Sequence, residues 1–325
     1  MNTTPRIALA LAAAALALAA PFAGAQDFPS RPIKLVVPQA PASGGDVVAR
    51  MLAEKMSQEL RQSVVVDNRP GANGMIASAI VAKEPPDGYT IMLTSVSLVS
   101  FNRYMYKSMP VDSMKDFTFI GPVSDASFVL VASQKSGIKS WADLVRRAKA
   151  EPDTLTFGSA GTGNSTHLYP EMIARRSGFT LRHIPYKGSA PALMSIVSGE
   201  TDVMVSPTVV ANAQIQAGKV VPLAQSGDTR APSLANVPLL KELSPGTPAL
   251  PGWYAIVGPA KMDPKVVEKL SAAINSFLND APTRTKLIDQ FLMPIPGTPE
   301  GIRKRGENES EIWGGLIRDL KIQTD

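Results

Sequence analysis

The sequence predicts an α/β protein in which two doubly wound lobes enclose a ligand cleft. Short apolar, β-prone runs alternate with helical patterns along the chain, which is typical of α/β architecture. The length of 325 residues suits two domains. Two strand–loop–helix units stand far apart in the chain. Because ligands gather at the carboxyl ends of strands in open α/β sheets, their loops predict a cleft between the lobes.

Strand and helix patterns alternate from the start of the region that follows the N-terminal segment. Apolar residues at i, i+4 spacing, Val48, Leu52 and Met56, indicate one buried face of a helix that begins at Gly45. Proline and glycine punctuate the connections. The patterns predict a strand over 33–38, this helix, a strand over 64–66, a helix over 76–83 and a strand over 90–94.

The same alternation continues to the C-terminus, interrupted by a proline-rich stretch over 226–252. Ser140 is a suitable N-cap for one helix, and glycines directly follow the ends of several others. The predicted strands are 155–158, 181–185, 202–206 and 254–258. The predicted helices are 141–150, 166–177, 190–198, 209–217, 264–279, 283–291 and 298–320.

Residues 1–25 have the pattern of a secretory signal peptide. A single basic residue, Arg6, precedes an apolar run over 7–20 that is too short to span a membrane, and Ala23-Gly24-Ala25 forms an A-x-A cleavage site. We therefore expect cleavage after Ala25 and a soluble mature protein that begins near Gln26 and resides in the periplasm.

Composition excludes several classes of function. With no cysteine, the chain has neither disulfides nor thiolate chemistry. Loss of Arg6 with the signal peptide lowers the formal charge from +5 to +4. The basic residues occur as scattered pairs on predicted helices, without aromatic residues between them. They predict solvated helix faces and no nucleic-acid partner.

Two loops of small residues each open a predicted helix, the first over 40–46 and the second over 159–166. Backbone N–H groups at a helix start are unpaired and lie at the positive end of the helix dipole. Glycine lets such a backbone approach a ligand closely. Two such loops predict a cleft that binds a small anion from both sides. An ordinary βα turn is the alternative for either loop alone.

No catalytic or metal site is predicted. The chain lacks the H-E-x-x-H and G-x-S-x-G patterns of zinc peptidases and serine hydrolases. The segment 158–165 resembles a phosphate-binding P-loop, but Asn164 stands where the lysine must be, so no nucleotide or other cofactor is expected. The two histidines, His167 and His183, are predicted to cap or pack, with ligand contact as the alternative for His167.

Several motifs resemble one family by their order and spacing. The motifs are Phe28-Pro29-Ser30-Arg31-Pro32-Ile33, Asp46-Val47-Val48-Ala49-Arg50, Val65-Val66-Asp67-Asn68-Arg69-Pro70-Gly71-Ala72, Pro86-Asp87-Gly88-Tyr89-Thr90, Lys115-Asp116-Phe117, Gly158-Ser159-Ala160-Gly161-Thr162-Gly163 and His183-Ile184-Pro185-Tyr186-Lys187-Gly188. Together they resemble the extracytoplasmic solute-binding receptors of the tripartite tricarboxylate transporter system, the Bug family. The resemblance extends from Phe28 to the C-terminus.

The resemblance implies a type II periplasmic binding protein, with lobe I over 26–125 and 248–325 and lobe II over 126–247. It implies a small carboxylate ligand, namely a dicarboxylate, a tricarboxylate, an acidic amino acid or an aromatic acid. Membrane subunits of a tripartite tricarboxylate transporter would be the partner of a monomeric receptor. Carried over residue by residue, the implied ligand-binding residues are Gln39, Ala40, Ala42, Ser43, Gly44, Gly45, Asp46, Ser95, Ser159, Ala160, Gly161, Thr162, Gly163, Asn164 and Ser165.

The first loop departs from the family pattern. Compared with the usual P-F-P-A-G-G-S-T-D, the glycine pair Gly44-Gly45 lies two residues closer to the helix, and Gln39 replaces an aromatic residue. Arg103 stands where proline is common. A surface position is favoured for Arg103, with pairing to a second carboxylate as the alternative.

These observations predict a receptor that closes around a small carboxylate and delivers it to a membrane transporter. A sensor that presents its ligand to a membrane kinase would use the same fold. A secreted esterase is the alternative from another class, and the lack of a recognisable nucleophile–base pair disfavours it.

Overall fold

In the computed structural model, residues 28–247 and 252–320 are described, so the predicted signal peptide lies outside the described residues. Six strands form one sheet, in the spatial order β11-β4-β10-β3-β1-β2. They are β1 (Ile33–Val37), β2 (Val64–Asn68), β3 (Thr90–Ser95), β4 (Phe117–Ala126), β10 (Gly252–Pro259) and β11 (Leu292–Pro294). We call the part of the molecule built on this sheet the six-stranded half.

Five strands form a second sheet, in the order β7-β6-β8-β5-β9. They are β5 (Phe128–Ser133), β6 (Thr156–Ser159), β7 (Arg182–Pro185), β8 (Val203–Pro207) and β9 (Val220–Gln225). We call the part built on this sheet the five-stranded half. A single residue, Ser127, separates β4 of the first sheet from β5 of the second, so the chain crosses between the halves in extended conformation.

Both sheets are mixed. In the first, β1 runs parallel to β2 and β3, whereas β10 is antiparallel to β3 and β4. In the second, β6 runs parallel to β7 and β8, whereas β5 is antiparallel to β8 and β9. Strands β5 and β10 are each antiparallel to both of their neighbours. The parallel pairs belong to βαβ units. The predicted α/β class with two sheet-based halves is confirmed.

Helices cover the faces of both sheets. Most begin and end within two residues of the predicted positions, and Ser140 caps its helix as expected, accepting from the Asp143 N–H at 3.1 Å. The helices are α1 (Gly44–Leu60), α2 (Met75–Val81), α3 (Asn102–Met105), α4 (Trp141–Ala150), α5 (Ser165–Ser177), α6 (Ser189–Ser198), α7 (Thr208–Gln216), α8 (Leu240–Leu243), α9 (Pro264–Asn279), α10 (Ala281–Asp289) and α11 (Pro299–Leu320).

Several elements were missed by the sequence patterns. Strands β4, β5, β9 and β11 were not predicted, nor was the π-helical turn Ser97–Phe101 that leads into α3. Strands β4 and β5 are buried along most of their length, so their sequence lacks the alternation of apolar and polar residues that marks a half-exposed strand. None of the helices in the described ranges is both long and apolar enough to cross a membrane.

The C-terminal helix α11 packs against both halves through one aromatic side chain. The ring of Trp313 lies 4.7 Å from that of Phe101 in the six-stranded half and is stacked at 5.4 Å on Tyr169 of α5. Tyr169 in turn makes an edge contact with Phe128 of β5 at 5.0 Å. All four side chains are buried in the same hydrophobic cluster. This cluster therefore spans both halves, beside a second cluster within the six-stranded half and a third centred on the five-stranded half.

Replacing Trp313 by alanine is expected to lower the free energy of unfolding by about 3 kcal/mol, because it removes a large buried ring from the shared core. The neighbouring Ile312 is 66% exposed, so Ile312→Ala should change the free energy of unfolding by less than about 0.5 kcal/mol. Urea unfolding measures both. Similar effects of the two substitutions would contradict the role of Trp313 in the core.

Candidate functional site

A cavity of about 720 Å³ lies between the two halves, at the two loops that the sequence singled out. The loop before α1 and the end of β3 contribute to it from the six-stranded half, and the loop before α5 contributes from the five-stranded half. Of the predicted site residues, those that line it are Gln39, Ala40, Ser43, Gly44, Ser95, Ala160, Gly161, Thr162, Asn164 and Ser165.

Side chains of the first loop satisfy several of its own backbone donors. The Ser43 hydroxyl caps α1 by accepting from the Asp46 N–H at 3.2 Å. The Gln39 carbonyl oxygen Oε1 accepts from the Gly45 N–H at 2.9 Å and from the Ser43 hydroxyl at 3.2 Å. The amide of Gln39 is thereby oriented, and its side chain also interacts with the Tyr254 hydroxyl.

Asp46 has a structural role. Its carboxylate accepts from the Ala42 N–H at 2.9 Å, from Arg50 Nε at 3.0 Å and from Asn68 Nδ2 at 3.0 Å. Burial alone would raise the pKa of Asp46, but the hydrogen bonds from Arg50, Ala42 and Asn68 outweigh it and hold the pKa below its usual value. Asp46 therefore anchors the loop and is not available to a ligand.

The second loop is ordered in the same way. Asn164 caps α5, because its Oδ1 accepts from the Thr166 N–H at 2.9 Å and from the Thr166 hydroxyl at 2.6 Å. The Thr166 Oγ1 in turn accepts from the Ala160 N–H at 2.7 Å. Gly161 has a φ of 132° and Gly163 a φ of 90°, which residues with a Cβ rarely adopt. These two glycines allow the sharp turn from β6 into the helix.

Some backbone donors of the two loops remain for a ligand. Within the described ranges, the N–H groups of the following residues have no acceptor, and all four residues line the cavity: Gly44, Thr162, Asn164 and Ser165. Gly44 and Ser165 are the first residues of α1 and α5, where the helix dipole is positive. The two helix starts together therefore provide a site suited to an anion.

Five predicted site residues lie outside the cavity wall, which corrects that part of the prediction. Ala42, Gly45 and Asp46 are engaged within the first loop, as described above. Ser159 is fully buried, and its Oγ lies 2.6 Å from His183 Nε2. Gly163 lies behind the wall, where its N–H donates to a histidine ring and its carbonyl accepts from the other half of the molecule.

The two histidines of the chain form a stacked pair behind the second loop. The rings of His167 and His183 are 3.9 Å apart, and His183 is stacked on Phe157 at 4.8 Å. Burial lowers the pKa of His167 to about 3, with the neighbouring His183 adding to the shift, and lowers the pKa of His183 to about 4. Both rings are neutral near pH 7 and pack as the sequence predicted, outside the cavity wall.

Contacts also join the two halves across the cavity. Asn73 Nδ2 donates to the Gly163 carbonyl at 2.9 Å, and the Ser97 and Ser165 hydroxyls lie 3.2 Å apart. Asn73 and Ser97 line the cavity but were not predicted as site residues. No motif marks them, because they reach the cavity through the fold of the segments that follow β2 and β3.

Much of the remaining wall is aromatic. Tyr106, Phe128, Tyr186, Trp253 and Tyr254 all line the cavity, and of these only Tyr186 belonged to a motif noted in the sequence. These side chains offer large, mostly apolar surfaces to a ligand.

Trp253 is held in place by the C-terminal helix. Its indole N–H donates to Glu309 Oε2 at 2.8 Å, and Glu309 Oε1 accepts from Arg305 Nε at 2.8 Å. Arg305 also forms an ion pair with Asp125 at the end of β4, at 2.8 Å. Burial raises the pKa of Asp125, although Arg305 opposes this. One wall of the cavity is thus fixed by linked charged groups of α11 and β4.

Lys187 is the one charged side chain among the described residues that line the cavity. It is exposed to solvent. Arg103 lies elsewhere, on the surface, with its guanidinium 5.5 Å from the centre of the Tyr104 ring. The surface position favoured for Arg103 agrees with the structure. No group of three histidine, aspartate or glutamate side chains comes together as a metal site in the described ranges.

Comparison with known proteins identifies the family. Residues 48–322 match the model of the tripartite tricarboxylate transporter family receptors. The chain belongs to this family. It is 33% identical over 324 residues to the protein BugT of Bordetella pertussis, covering 98% of each chain.

Solved structures of the family share the fold. Rpa4515 of R. palustris with adipate is 30% identical, has a TM-score of 0.88 and matches 91% of this chain and 99% of its own. MatC of Rhodopseudomonas palustris with bound malate is 25% identical, has a TM-score of 0.84 and matches 89% of this chain and 100% of its own. The periplasmic binding protein fold and the expectation of a solute receptor, not an enzyme, are confirmed.

Lowering the pH from 7 to 5 is expected to destabilise the protein through its two histidines. Their pKa values of about 3 and about 4 in the folded protein lie below the ordinary 6.5, so the unfolded chain binds protons that the folded chain does not. Their contribution to stability is complete above about pH 6.5 and is lost as the pH falls. At pH 5, the contribution of each histidine to the free energy of unfolding should be about 2 kcal/mol smaller than at pH 7. Urea unfolding at the two pH values measures the difference.

The variant His183→Asn provides the control for this pH effect. Burial raises the pKa of Asp125 and Glu171, so these groups favour the folded state as the pH falls, but both proteins contain them. The difference between pH 7 and pH 5 should therefore be about 2 kcal/mol smaller in the variant. The same pH dependence in both proteins would show that His183 is not buried in its neutral form.

Proposed function

We propose that this protein is a periplasmic receptor that captures a small carboxylate between its two halves. The observation that carries the proposal is the cavity itself, in which two helix starts present unpaired N–H groups from opposite sides. A carboxylate placed there would accept hydrogen bonds from both halves. Binding to both halves favours the form in which they are close together, which couples ligand capture to closure.

The lining supports a ligand with one or two carboxylates and an apolar body. The wall has one cationic side chain, Lys187, and no acidic side chain among the described residues that form it. One carboxylate would bind the helix starts, and a second would lie near Lys187. The aromatic side chains would contact the body. Related receptors bound to adipate and to malate support a dicarboxylate in particular.

The cellular role follows from the family and the N-terminal sequence. We propose that the signal peptide over 1–25 directs the chain to the periplasm, where the mature monomer passes its ligand to the membrane subunits of a tripartite tricarboxylate transporter. We further propose that the two halves act as lobes, with lobe I over 26–125 and 248–325 and lobe II over 126–247. The crossing at Ser127 and the separate sheets support this division.

A thermal-shift screen of residues 26–325 tests the proposed function. Adipate, malate, citrate, glutamate and benzoate represent the candidate classes, and adipate or malate is expected to raise the melting temperature by several degrees. A ligand at about a hundred times its dissociation constant adds roughly 2.7 kcal/mol of stability. No shift with any of the five, from a protein with a cooperative melting transition, would contradict the proposal.

A blocking variant locates the site. Ala160 lines the cavity, so the larger side chain in Ala160→Phe should fill part of it and abolish the adipate shift. Ala150 is exposed at the end of α4, away from the cavity, and Ala150→Phe should leave the shift unchanged. An undiminished shift in Ala160→Phe would place the ligand elsewhere.

The role of Lys187 is tested with a pair of ligands that differ by one carboxylate. Lys187→Met should weaken adipate binding roughly two- to five-fold, the range for a solvent-exposed ion pair, and should leave hexanoate binding unchanged. Isothermal titration calorimetry at low salt measures both dissociation constants. Equal effects on adipate and hexanoate would show that Lys187 does not bind the second carboxylate.

A further inference from the structure

One residue of the second loop, Gly163, is hydrogen-bonded through both of its backbone polar groups. The Gly163 N–H donates to His167 Nδ1 at 3.1 Å, and the Gly163 carbonyl accepts from Asn73 Nδ2 at 2.9 Å. His167 lies on α5 in the same half as Gly163, whereas Asn73 belongs to the six-stranded half. Gly163 is therefore a point at which the two halves are joined beside the cavity.

The bond from Gly163 defines the tautomer of His167. A backbone N–H can only donate, so Nδ1 must be the unprotonated nitrogen, and the proton of the neutral ring is on Nε2. Protonation of Nδ1 would place two donors against each other and break the bond. The His167 side chain is buried, so water cannot easily replace the lost contact.

The surroundings of His167 hold its ring but offer little to a positive charge. His183 is stacked on one side at 3.9 Å, and Phe157 is nearly parallel at 6.0 Å. The titratable groups recorded near the ring in the described ranges are His183 and Glu171, whose Oε1 is 4.0 Å from Nε2. Burial, together with the charge of Asp153, raises the pKa of Glu171. Neither His183 nor Glu171 is recorded as an acceptor for the Gly163 N–H, which His167 Nδ1 accepts.

Asn73 is fixed in the position from which it reaches Gly163. Its Nδ2 also donates to Asn102 Oδ1 at 2.6 Å, and its own carbonyl accepts from Asn102 Nδ2 at 3.1 Å. Asn102 is fully buried. Asn73 has a φ of 48°, a left-handed conformation that asparagine tolerates better than most residues. The six-stranded half thus fixes the donor, Asn73 Nδ2. The five-stranded half must orient the acceptor, the Gly163 carbonyl.

We propose that His167 is a positioning residue for ligand binding: its neutral ring accepts the Gly163 N–H and thereby directs the Gly163 carbonyl to Asn73. The bonds His167–Gly163–Asn73 form a clasp that holds the two loops together across the cavity. The effect of the clasp on affinity rests on the proposed function, whereas its effect on Gly163 does not.

The tautomer is tested first, on the unmodified protein without ligand. Because the chain contains only two histidines, the imidazole signals of a ¹⁵N-labelled sample can be assigned with His183→Asn as reference. We expect His167 to be neutral with its proton on Nε2 at pH 7, and to remain so at pH 5. A proton on Nδ1, or titration of His167 near pH 6.5, would overturn the proposal.

Two substitutions of His167 separate the acceptor from the bulk of the ring. His167→Asn keeps a side-chain oxygen close to the position of Nδ1, whereas His167→Leu keeps an apolar side chain and removes the acceptor. Amide hydrogen exchange of Gly163 should accelerate at least ten-fold in His167→Leu and stay near the wild-type rate in His167→Asn. Equal protection of Gly163 in the wild type and His167→Leu would overturn the proposal.

The effect on binding is measured with adipate as the probe. Its dissociation constant should rise roughly ten-fold in His167→Leu and in Asn73→Ala, and change little in His167→Asn. Unchanged affinity in both of the first two variants would overturn the role of the clasp in binding. If the wild type does not bind adipate, the proposed ligand class fails, and Gly163 exchange still decides the role of His167.

Discussion

The binding site depends on one constraint, which is that the first N–H groups of a helix have no intrahelical acceptor. Two helices begin at the cavity, and side chains of the chain itself satisfy several of these donors. Gln39 and Ser43 do so at α1, and Asn164 does so at α5. The donors that remain are on the cavity wall. The loops are therefore held in shape by internal caps while a few N–H groups stay available for an anion.

The second feature that shapes the site is the shared core of the two halves. Trp313 packs between Phe101 and Tyr169, and Glu309 on the same helix fixes the indole of Trp253 in the cavity wall. The C-terminal helix is thus part of the support of the site, although it is remote from both loops in sequence. The halves are joined behind the cavity by packing and beside it by the clasp.

Sequence patterns predicted the positions of helices, strands and loops better than they predicted side-chain contacts. The glycines and small residues at 40–46 and 159–166 predicted the two loops correctly, because such sequences mark strand-to-helix turns wherever they occur. They did not reveal which atoms face the cavity. Asp46 and Ser159 were expected to bind ligand. In the structure, Asp46 is hydrogen-bonded to Arg50 and Ser159 to His183. Polar side chains in a capped loop are as suited to backbone support as to ligand contact, and the sequence alone does not distinguish the two.

The sequence by itself determined the alternating architecture, the two loops and the family, since each depends on residues close together in the chain. Tertiary structure alone decided how the cavity is completed. Asn73, Trp253 and Lys187 come from separate segments and meet at the cavity because the sheets and the C-terminal helix bring them there. Tertiary structure also decided the protonation state of the histidine pair. Burial and stacking of His167 against His183 depend on contacts between α5 and β7 that no local pattern encodes.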